Sequence, residues 1–232
     1  MSNLVRIDDL FSRKMPRLVS GAFPIRSKPL GLIGKRGIDI AVSAVSILTL
    51  LPLLGLLCAA VWLSDGRSPI FKHRRIGRNG TYFSCLKIRS MVSNSDEVLR
   101  RHLEENADAR VEWALNHKLV DDPRVTALGK FLRKSSLDEL PQLFNVLWGE
   151  MSLVGPRPIV EAEVARYGEA FAQCFSVPPG ITGMWQVSGR SEIAYSDRVA
   201  LDLSYAQGWN LSRDVAILFK TVPAVLRQKG SY

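Results

Sequence analysis

Cysteine and histidine are scarce in this sequence, and neither residue type clusters. The three cysteines and three histidines stand far apart, at Cys58, Cys85, Cys174, His73, His102 and His117. An odd, scattered set of cysteines does not make a disulfide framework, and no pair has the spacing of zinc ligands. The sequence therefore argues against a disulfide-stapled or zinc-stabilised domain and predicts a reduced, cytoplasmic setting.

Acidic residues are fewer than basic ones: the chain has 22 aspartates and glutamates and 31 lysines and arginines, which gives a net charge of +9. Excess base favours anionic partners such as phospholipids or nucleotides. The basic residues are spread along the chain and no nucleic-acid-binding motif is recognisable, so we expect no nucleic-acid partner. Residues 1–34 are basic and interrupted by Pro16, Pro24 and Pro29, which predicts a flexible N-terminal tail.

Charge is missing altogether from Ile40 to Leu63. As an ideal helix this run is about 36 Å long, enough to cross the hydrocarbon of a bilayer. It begins too far from the N-terminus for an ordinary signal peptide, and no convincing cleavage site follows it. The run therefore predicts a membrane helix.

Two features suggest that this helix enters and leaves on the same side. Pro52 lies near its centre, where it removes a helical hydrogen bond and bends the axis. Basic residues flank both ends, which the positive-inside rule would keep in the cytoplasm; they are Arg26, Lys28, Lys35 and Arg36 before the run, and Arg67, Lys72, Arg74, Arg75 and Arg78 after it. We predict a re-entrant helical hairpin over residues 35–64, broken at Pro52. A signal anchor with a proline kink is the alternative, and these features do not separate the two.

The start of the membrane segment carries a small charged group. We expect Lys35 to anchor on phospholipid headgroups at the interface. Arg36 and Asp39 have the i,i+3 spacing of a helical ion pair.

Residues 65–232 predict a cytoplasmic catalytic domain, and the fold class is α+β: a small, mixed, mostly helical domain with short strands at the membrane interface. Glycine turns bound the strands and apolar residues recur at helical spacing elsewhere. The expected elements are a strand–turn–strand over 69–83 with its turn at 77–80, a further strand over 83–91, and helices over 96–118, 125–134, 138–149, 196–207 and 214–227.

Adjacent acids beside fixed cations mark the most informative segment, residues 135–158. Asp138 and Glu139 follow Arg133, and Arg157 lies in a Gly-Pro-Arg-Pro turn. A carboxylate that can attack or hold Mg²⁺, next to cations that bind phosphate, is what phosphate-ester chemistry requires. The structural alternative is helix capping, either by a Ser136–Glu139 capping box or by Asp138 as N-cap. Both registers place the acids at the positive end of a helix dipole, which favours their ionised form.

Further candidates lie outside this segment. Lys87 and Arg89 share one strand face, and Arg190 ends a glycine-rich stretch that contains Trp185. Asp202, on the helix over 196–207, could orient an arginine of the site. For each of these the alternative is an ordinary structural role: a solvated strand face, a stiff turn, a core tryptophan or a surface charge.

Taken together these segments resemble the bacterial sugar transferase family, the small monotopic polyprenyl-phosphate phosphoglycosyl transferases. The resemblance runs from about Lys35 to the C-terminus and is carried, in this order, by KRGID, FSCLKIRSM, DDPRVTALGKFLRKSSLDELPQLFNVLWGEMSLVGPRP and PGITGMWQVSGR. The 96–118 helix and the terminal Gly230-Ser231-Tyr232 resemble the exopolysaccharide galactosyl-phosphate branch.

The resemblance implies a reaction and a set of roles. A UDP-sugar and undecaprenyl phosphate would give an undecaprenyl-diphosphate sugar and UMP, as the first membrane step of exopolysaccharide synthesis. Asp138 would be the nucleophile that carries the phosphosugar and would share Mg²⁺ with the diphosphate, and Glu139 would be its acid/base partner. Basic groups near the phosphates and one acidic position nearby would be Lys87, Arg133, Arg157, Arg190 and Asp202.

The same resemblance implies a monotopic protein on the cytoplasmic face of a bacterial inner membrane, in contact with membrane lipids. The transferred sugar, galactose or glucose, stays open, and so does assembly into a homo-oligomer. A non-catalytic, basic membrane scaffold of a polysaccharide assembly complex is the alternative function.

Overall fold

A computed structural model describes residues 29–116, 119–189 and 193–226, so the predicted tail lies almost wholly outside the described residues. The helices are α1 Pro29–Asp65, α2 Ser95–Glu105, α3 Ala107–Asn116, α4 Ala127–Lys134, α5 Gln142–Trp148, α6 Val164–Tyr167, α7 Ala170–Cys174, α8 Met184–Val187, α9 Tyr195–Gln207 and α10 Leu211–Leu226. The strands are β1 Ile70–Ile76, β2 Tyr82–Ile88, β3 Ser152–Val154 and β4 Gly180–Thr182. The domain is mostly helical with short strands, as expected.

Helix α1 is one continuous helix with Pro52 in its interior. Within the described residues it is the helix whose length and composition suffice to cross a membrane. One face of α1 is buried against the domain, at Lys35, Asp39, Ser43, Leu57 and Val61, while the opposite face exposes large apolar side chains such as Ile40, Val45, Leu48, Leu51, Leu56 and Leu63. The helix therefore lies along the domain by one face and presents an apolar surface on the other.

Strands β1 and β2 form an antiparallel hairpin. Its turn holds Asn79 in the left-handed region at φ 54°, which confirms the turn predicted from Gly77 to Gly80. The separate strand expected over 83–91 is wrong, because β2 is itself the second strand of the hairpin. Cross-strand pairing places Phe71 opposite Lys87 and His73 opposite Cys85. Opposite residues share a face, so one face of the hairpin carries several polar groups.

The single long helix expected over 96–118 is wrong. It is broken at Asn106, which ends α2 with an extended backbone at φ −123°. The Asn106 side chain donates to the carbonyl oxygen of His102, 3.1 Å away, and so competes for a helical acceptor. Of the α2 side chains, none is buried. This helix pair therefore lies outside the main core.

The main core lies where β2, α5, β3 and the C-terminal helices meet. Its buried members are Phe83, Cys85, Leu143, Val146, Met151, Leu153, Val154, Val177, Tyr205 and Ile217. A second apolar cluster, Leu57, Val61, Ile88 and Leu132, joins the later half of α1 to β2 and α4. Burial of these side chains stabilises the fold through the hydrophobic effect and fixes α1 against the strand that carries Lys87.

The interfacial role expected for Lys35 is wrong, since this residue is only 7% exposed. Its ammonium lies 2.6 Å from Asp214 Oδ2 and donates to the carbonyl oxygen of Val154 at 2.9 Å. A buried lysine needs such partners, because an unpaired ammonium in the interior is costly.

The Arg36–Asp39 pair is also wrong, because each residue binds the domain instead. Arg36 donates to the carbonyl oxygens of Val146 and Leu147 at 2.6 and 2.7 Å, at the C-terminal end of α5. Asp39 accepts hydrogen bonds from the Ser152 hydroxyl and the Leu153 backbone N–H, both at 3.0 Å. The first turns of α1 therefore fix the end of α5 and the whole of β3.

Candidate active site

The two adjacent acids lie in a short 3-10 turn, Leu137–Glu139, ahead of α5. Ser136 has a left-handed backbone at φ 58° and its side chain makes no capping hydrogen bond. Helix α5 begins at Gln142, after Pro141. Both capping alternatives are therefore wrong, and the acids need another explanation.

Lys87 joins the two acids to the hairpin. Its ammonium lies 2.7 Å from Glu139 Oε1 and 3.7 Å from Asp138 Oδ2. Asp138 is only 6% exposed, whereas the Glu139 side chain keeps 27% of its surface. One cation thus faces two carboxylates at a partly open site, as the predicted grouping of these three residues requires.

The surroundings shift the pKa of the two acids in opposite directions. Burial raises the pKa of Asp138 above its ordinary value, helped by the charge of Glu139 and opposed by Lys87 and Arg133. Burial also acts to raise the pKa of Glu139, but Lys87 and Arg157, with hydrogen bonds from Lys87 and Gln142, outweigh it and lower that pKa. Glu139 is therefore the more acidic of the pair.

Strand β2 is held in place by a buried amide. Asn145, fully buried on α5, accepts from the Leu86 N–H at 3.0 Å and donates to the Ser84 carbonyl oxygen at 2.8 Å. These two bonds pin the backbone next to Lys87 to the helix that follows the acids. Asn145 therefore sets the distance between Lys87 and the carboxylates.

Arg133 and Arg157 flank the acids. Arg133 Nε donates to the Ser90 hydroxyl at 2.9 Å, and its charge acts on Asp138. The Arg157 guanidinium lies 5.7 Å from the Trp185 ring centre, and within the described residues it has no hydrogen-bond partner. Its fork of N–H groups is therefore free to bind a phosphate.

Close backbone packing fixes the turn that carries Arg157. A Cβ on Gly155 would come within 2.3 Å of the Pro178 carbonyl oxygen, so this position requires glycine. Strand β3, which precedes the turn, pairs in parallel with β4. Since Lys35 and Asp39 of α1 also bind β3, α1 helps to position Arg157.

Asp202 lies deeper than the acids. It is 1% exposed, accepts a hydrogen bond from the Tyr167 hydroxyl at 2.8 Å, and its Oδ1 has no partner among the described residues. Burial raises its pKa to about 6 against the opposing effects of Tyr167, Arg198 and Arg157. Among the described residues Asp202 accepts its hydrogen bond from a tyrosine, and arginines act on it only through their charge. The predicted phosphate ligand Arg190 lies outside the described residues.

Two polar residues of the hairpin were missed in the sequence. His73 and Arg75 both lie on β1. The charges of Lys87 and Arg157 act on His73, and the charge of Arg157 acts on Arg75. Arg75 donates to the Pro158 carbonyl oxygen at 3.3 Å, which ties the hairpin to the turn of Arg157. Alternation along a strand predicts from the sequence that His73 and Arg75 share one face of β1. Only the pairing of β1 with β2 shows that Lys87 lies on that same face.

The oxygen donors at the acids suit Mg²⁺, which is commonly held by one or two carboxylates together with substrate phosphates. Among the residues that the structure describes, no group of three metal-ligating side chains forms. Asp138 with Glu139 therefore fits an ion shared with a diphosphate and does not fit an all-protein metal cage.

Comparison with known proteins agrees with this geometry. The model of the family described as bacterial sugar transferase matches residues 30–228. The chain is 49% identical over 205 residues to the exopolysaccharide production protein ExoY of Sinorhizobium fredii, covering 88% of this chain and 91% of that protein.

Two further relatives are longer proteins, and the chain matches less than half of the length of each. The UDP-galactose-lipid carrier transferase of Erwinia amylovora is 53% identical over 85% of this chain and 41% of its own length. The undecaprenyl-phosphate galactose phosphotransferase of Salmonella typhimurium is 50% identical over 85% of this chain and 41% of its own length. With the acids, the bridging lysine and a family match over most of its length, the chain belongs to the bacterial sugar transferase family.

Proposed function

We propose that the protein transfers a sugar-1-phosphate, of galactose or glucose, from a UDP-sugar to undecaprenyl phosphate and releases UMP, as the first membrane step of exopolysaccharide synthesis. The observation that carries this proposal is the cluster of Asp138, Glu139 and Lys87 at a partly open site. The guanidinium of Arg157, which has no hydrogen-bond partner among the described residues, also acts on Glu139 through its charge. The names of the relatives, which include undecaprenyl-phosphate galactose and glucose phosphotransferases, support the substrate class.

In the first step an Asp138 carboxylate oxygen attacks the phosphorus that bears the sugar. A new P–O bond forms to Asp138, the P–O bond to UMP breaks, and UMP leaves with the electron pair. Burial raises the pKa of Asp138, whereas the charges of Lys87 and Arg133 oppose that shift and so favour the ionised, nucleophilic form.

In the second step a phosphate oxygen of undecaprenyl phosphate attacks the same phosphorus, and the Asp138 carboxylate is released. Glu139, the stronger acid of the pair, is ionised and is placed to take up or return a proton on the acceptor phosphate. Arg157 and Lys87 balance the charge of the diphosphate. When bound, Mg²⁺ would be held by Asp138 and the diphosphate and would neutralise charge on the phosphate oxygens.

The proposed setting is the cytoplasmic face of a bacterial inner membrane, with α1 re-entrant in one leaflet. The apolar outer face of α1 supports contact with lipid. With α1 placed in this way, the site would lie at the depth of the lipid headgroups. A water-soluble UDP-sugar and a lipid phosphate that stays in the bilayer could then both reach it.

The central test replaces the nucleophile. We expect Asp138→Asn to abolish UMP release from a UDP-sugar in membrane-reconstituted protein, because the side-chain amide cannot form the acyl phosphate that the carboxylate forms. Radiolabel from the sugar phosphate should become attached to the wild-type polypeptide when acceptor is withheld, and should be absent from the variant.

Asp121→Asn is the matched control, because Asp121 belongs to another pair of adjacent acids and is exposed in a loop. It should release UMP and carry label at wild-type levels. Label retained by Asp138→Asn would remove Asp138 as nucleophile, and a panel of UDP-sugars in the same assay identifies the sugar.

A further inference from the structure

The imidazole of His73 lies on the face of the hairpin that carries Lys87. His73 pairs across the strands with Cys85, and Lys87 is two residues beyond Cys85 on β2. Side chains of opposite residues, and of residues two apart, share one face of a sheet. His73 therefore faces the same side of the hairpin as the lysine that contacts both acids.

A single contact determines which ring nitrogen of His73 carries the proton. His73 Nδ1 lies 3.2 Å from an Nη atom of Arg75. A guanidinium only donates hydrogen bonds, so Nδ1 must be the acceptor and the proton must lie on Nε2. Within the described residues no protein group accepts that Nε2–H. Among the described residues the Nε2–H is therefore not taken up by a protein acceptor.

Arg75 is itself fixed from two sides. It donates to the Pro158 carbonyl oxygen in the turn of Arg157, and its Nη1 lies 3.7 Å from Glu163 Oε2. The orientation of His73 thus depends on the same turn that positions Arg157. The centre of the Phe71 ring lies 5.7 Å from that of the imidazole, with the two rings tilted by 54°.

Charges around the ring keep it neutral. Burial, together with Arg75, Lys87 and Arg157, lowers the pKa of His73 to about 4, and only Glu163 opposes this. At neutral pH the imidazole adds no further charge to a site already rich in cations. What it can offer there is one directed N–H.

We propose that His73 is a substrate-binding residue whose Nε2–H donates a hydrogen bond to an oxygen of the sugar phosphate held at Asp138. This rests on the proposed transferase function. The acceptor is either a phosphate oxygen or a hydroxyl of the hexose, and both offer the same lone-pair chemistry. Arg75 is the positioning residue that selects the Nε2–H tautomer.

The first experiment compares His73→Gln with His73→Phe. A glutamine amide can place an N–H near the position of Nε2, whereas phenylalanine fills the space without a donor. We expect His73→Phe to lose about ten- to a hundredfold in kcat/KM for UMP release, as for one hydrogen bond to a charged group, and His73→Gln to lose less than about fivefold. Thermal unfolding of both variants separates lost binding from lost folding.

The sugar panel narrows the choice of acceptor. An unequal loss in His73→Phe with UDP-galactose and UDP-glucose assigns the bond to the 4-hydroxyl, the one position at which the two sugars differ. An equal loss assigns it to a phosphate oxygen or to a hydroxyl that the two sugars share. Wild-type kcat/KM in His73→Phe, or equal losses in the two variants, would overturn the proposal. If the wild type itself formed no labelled adduct, the transferase function would fail instead.

A spectroscopic experiment gives a readout independent of turnover. The chain has only three histidines, so the ¹⁵N imidazole signals of His73 can be assigned by their loss in His73→Gln. We expect the wild type to show a protonated Nε2 and an unprotonated Nδ1 at neutral pH. In Asp138→Asn the Nε2 signal should shift on addition of a UDP-sugar; an unchanged signal at saturating UDP-sugar contradicts the assignment.

Discussion

Asp138 and Glu139 are neighbours in the chain, but their surroundings separate them chemically. The deeper residue, Asp138, has a raised pKa because it is buried, and Glu139 has a lowered pKa because cations outweigh its burial. The charge of Glu139 makes Asp138 harder to ionise, and Lys87 opposes this effect. Lys87 lowers the pKa of both acids, with Arg133 adding to its effect on Asp138 and Arg157 to its effect on Glu139.

Replacement of Lys87 by methionine should move the pH dependence of activity. Lys87 lowers the pKa of both acids, so its removal raises both values. Carboxylates with raised pKa values stay protonated to higher pH, so the acidic limb of kcat for UMP release should shift upward by about one pH unit or more. Activity near pH 7 should fall and recover in part at higher pH.

Lys87→Arg keeps the charge and should hold the limb near its wild-type position, although its different shape is expected to lower kcat. The pH profiles of wild type, Lys87→Met and Lys87→Arg are measured on the same membrane preparation. A limb in Lys87→Met that coincides with wild type would show that the lysine does not set the ionisation of the acids.

The sequence indicated which residues to group, and the structure brings Asp138, Glu139 and Lys87 together, with the charge of Arg157 acting on Glu139. The adjacent acids and the proline-bracketed arginine are visible along the chain, whereas Lys87 was assigned through the family resemblance. His73 was missed, because its role follows from which residue stands across the hairpin. The pairing of β1 with β2 and the contact that fixes the tautomer of His73 both depend on the folded structure. Local sequence patterns do not predict either of them.

At the scale of elements, the first turns of α1 belong to the domain as much as to the membrane. Lys35 and Asp39 bind β3, and Arg36 binds the end of α5. In the sequence these charges looked like headgroup anchors, since flanking cations of a membrane helix usually are. Their partners lie more than a hundred residues away, so local spacing could not reveal them.

Elements with strong local signals were predicted well. The hairpin turn, α4, the end of α5 at Gly149 with φ 86°, and α9 with α10 all follow glycine or apolar periodicity. The 96–118 helix failed because apolar spacing continues across Asn106, whereas the break depends on one side chain bonding to the backbone. Apolar periodicity shows which face of a helix is apolar. It does not show that a side chain such as that of Asn106 competes with the backbone for a helical carbonyl oxygen.

Loss of the lysine in the Lys35–Asp214 pair should destabilise the docking of α1. In Lys35→Met the Asp214 carboxylate would stay buried, with hydrogen bonds from Tyr205 and Trp209 but no opposite charge. Removal of one partner of a buried ion pair costs about 3–5 kcal/mol. The midpoint of thermal unfolding in detergent should therefore drop by several degrees.

Lys72→Met, which removes an exposed lysine of β1, is the control and should leave the midpoint unchanged. The double variant Lys35→Met with Asp214→Asn should recover part of the loss, because no unpaired charge remains. A Lys35→Met protein as stable as wild type would contradict the assigned partnership.

At the scale of the whole molecule, one domain holds both ends of α1. Near its start Lys35 pairs with Asp214, and at its end Asp65 forms a salt bridge with Arg89 on the strand side of the domain. Leu57 and Val61 pack on Ile88 between these points. A helix that crossed the bilayer would separate its ends by about 30 Å of hydrocarbon. The same water-facing domain could not then contact both ends, because its charged groups would have to enter the membrane.

Both flanks of α1 should therefore be accessible from the same side. We expect a single cysteine at Ile33 or at Arg67, each exposed in the structure and each introduced without the three native cysteines, to resist an impermeant maleimide in intact spheroplasts. Both should react in inside-out vesicles. A cysteine at the exposed loop residue Asp121 reports the cytoplasmic side and should behave in the same way. Labelling of one flank alone from outside would mean that α1 spans the bilayer, and the proposed transfer to a membrane lipid would then need another way to bring the site to the headgroups.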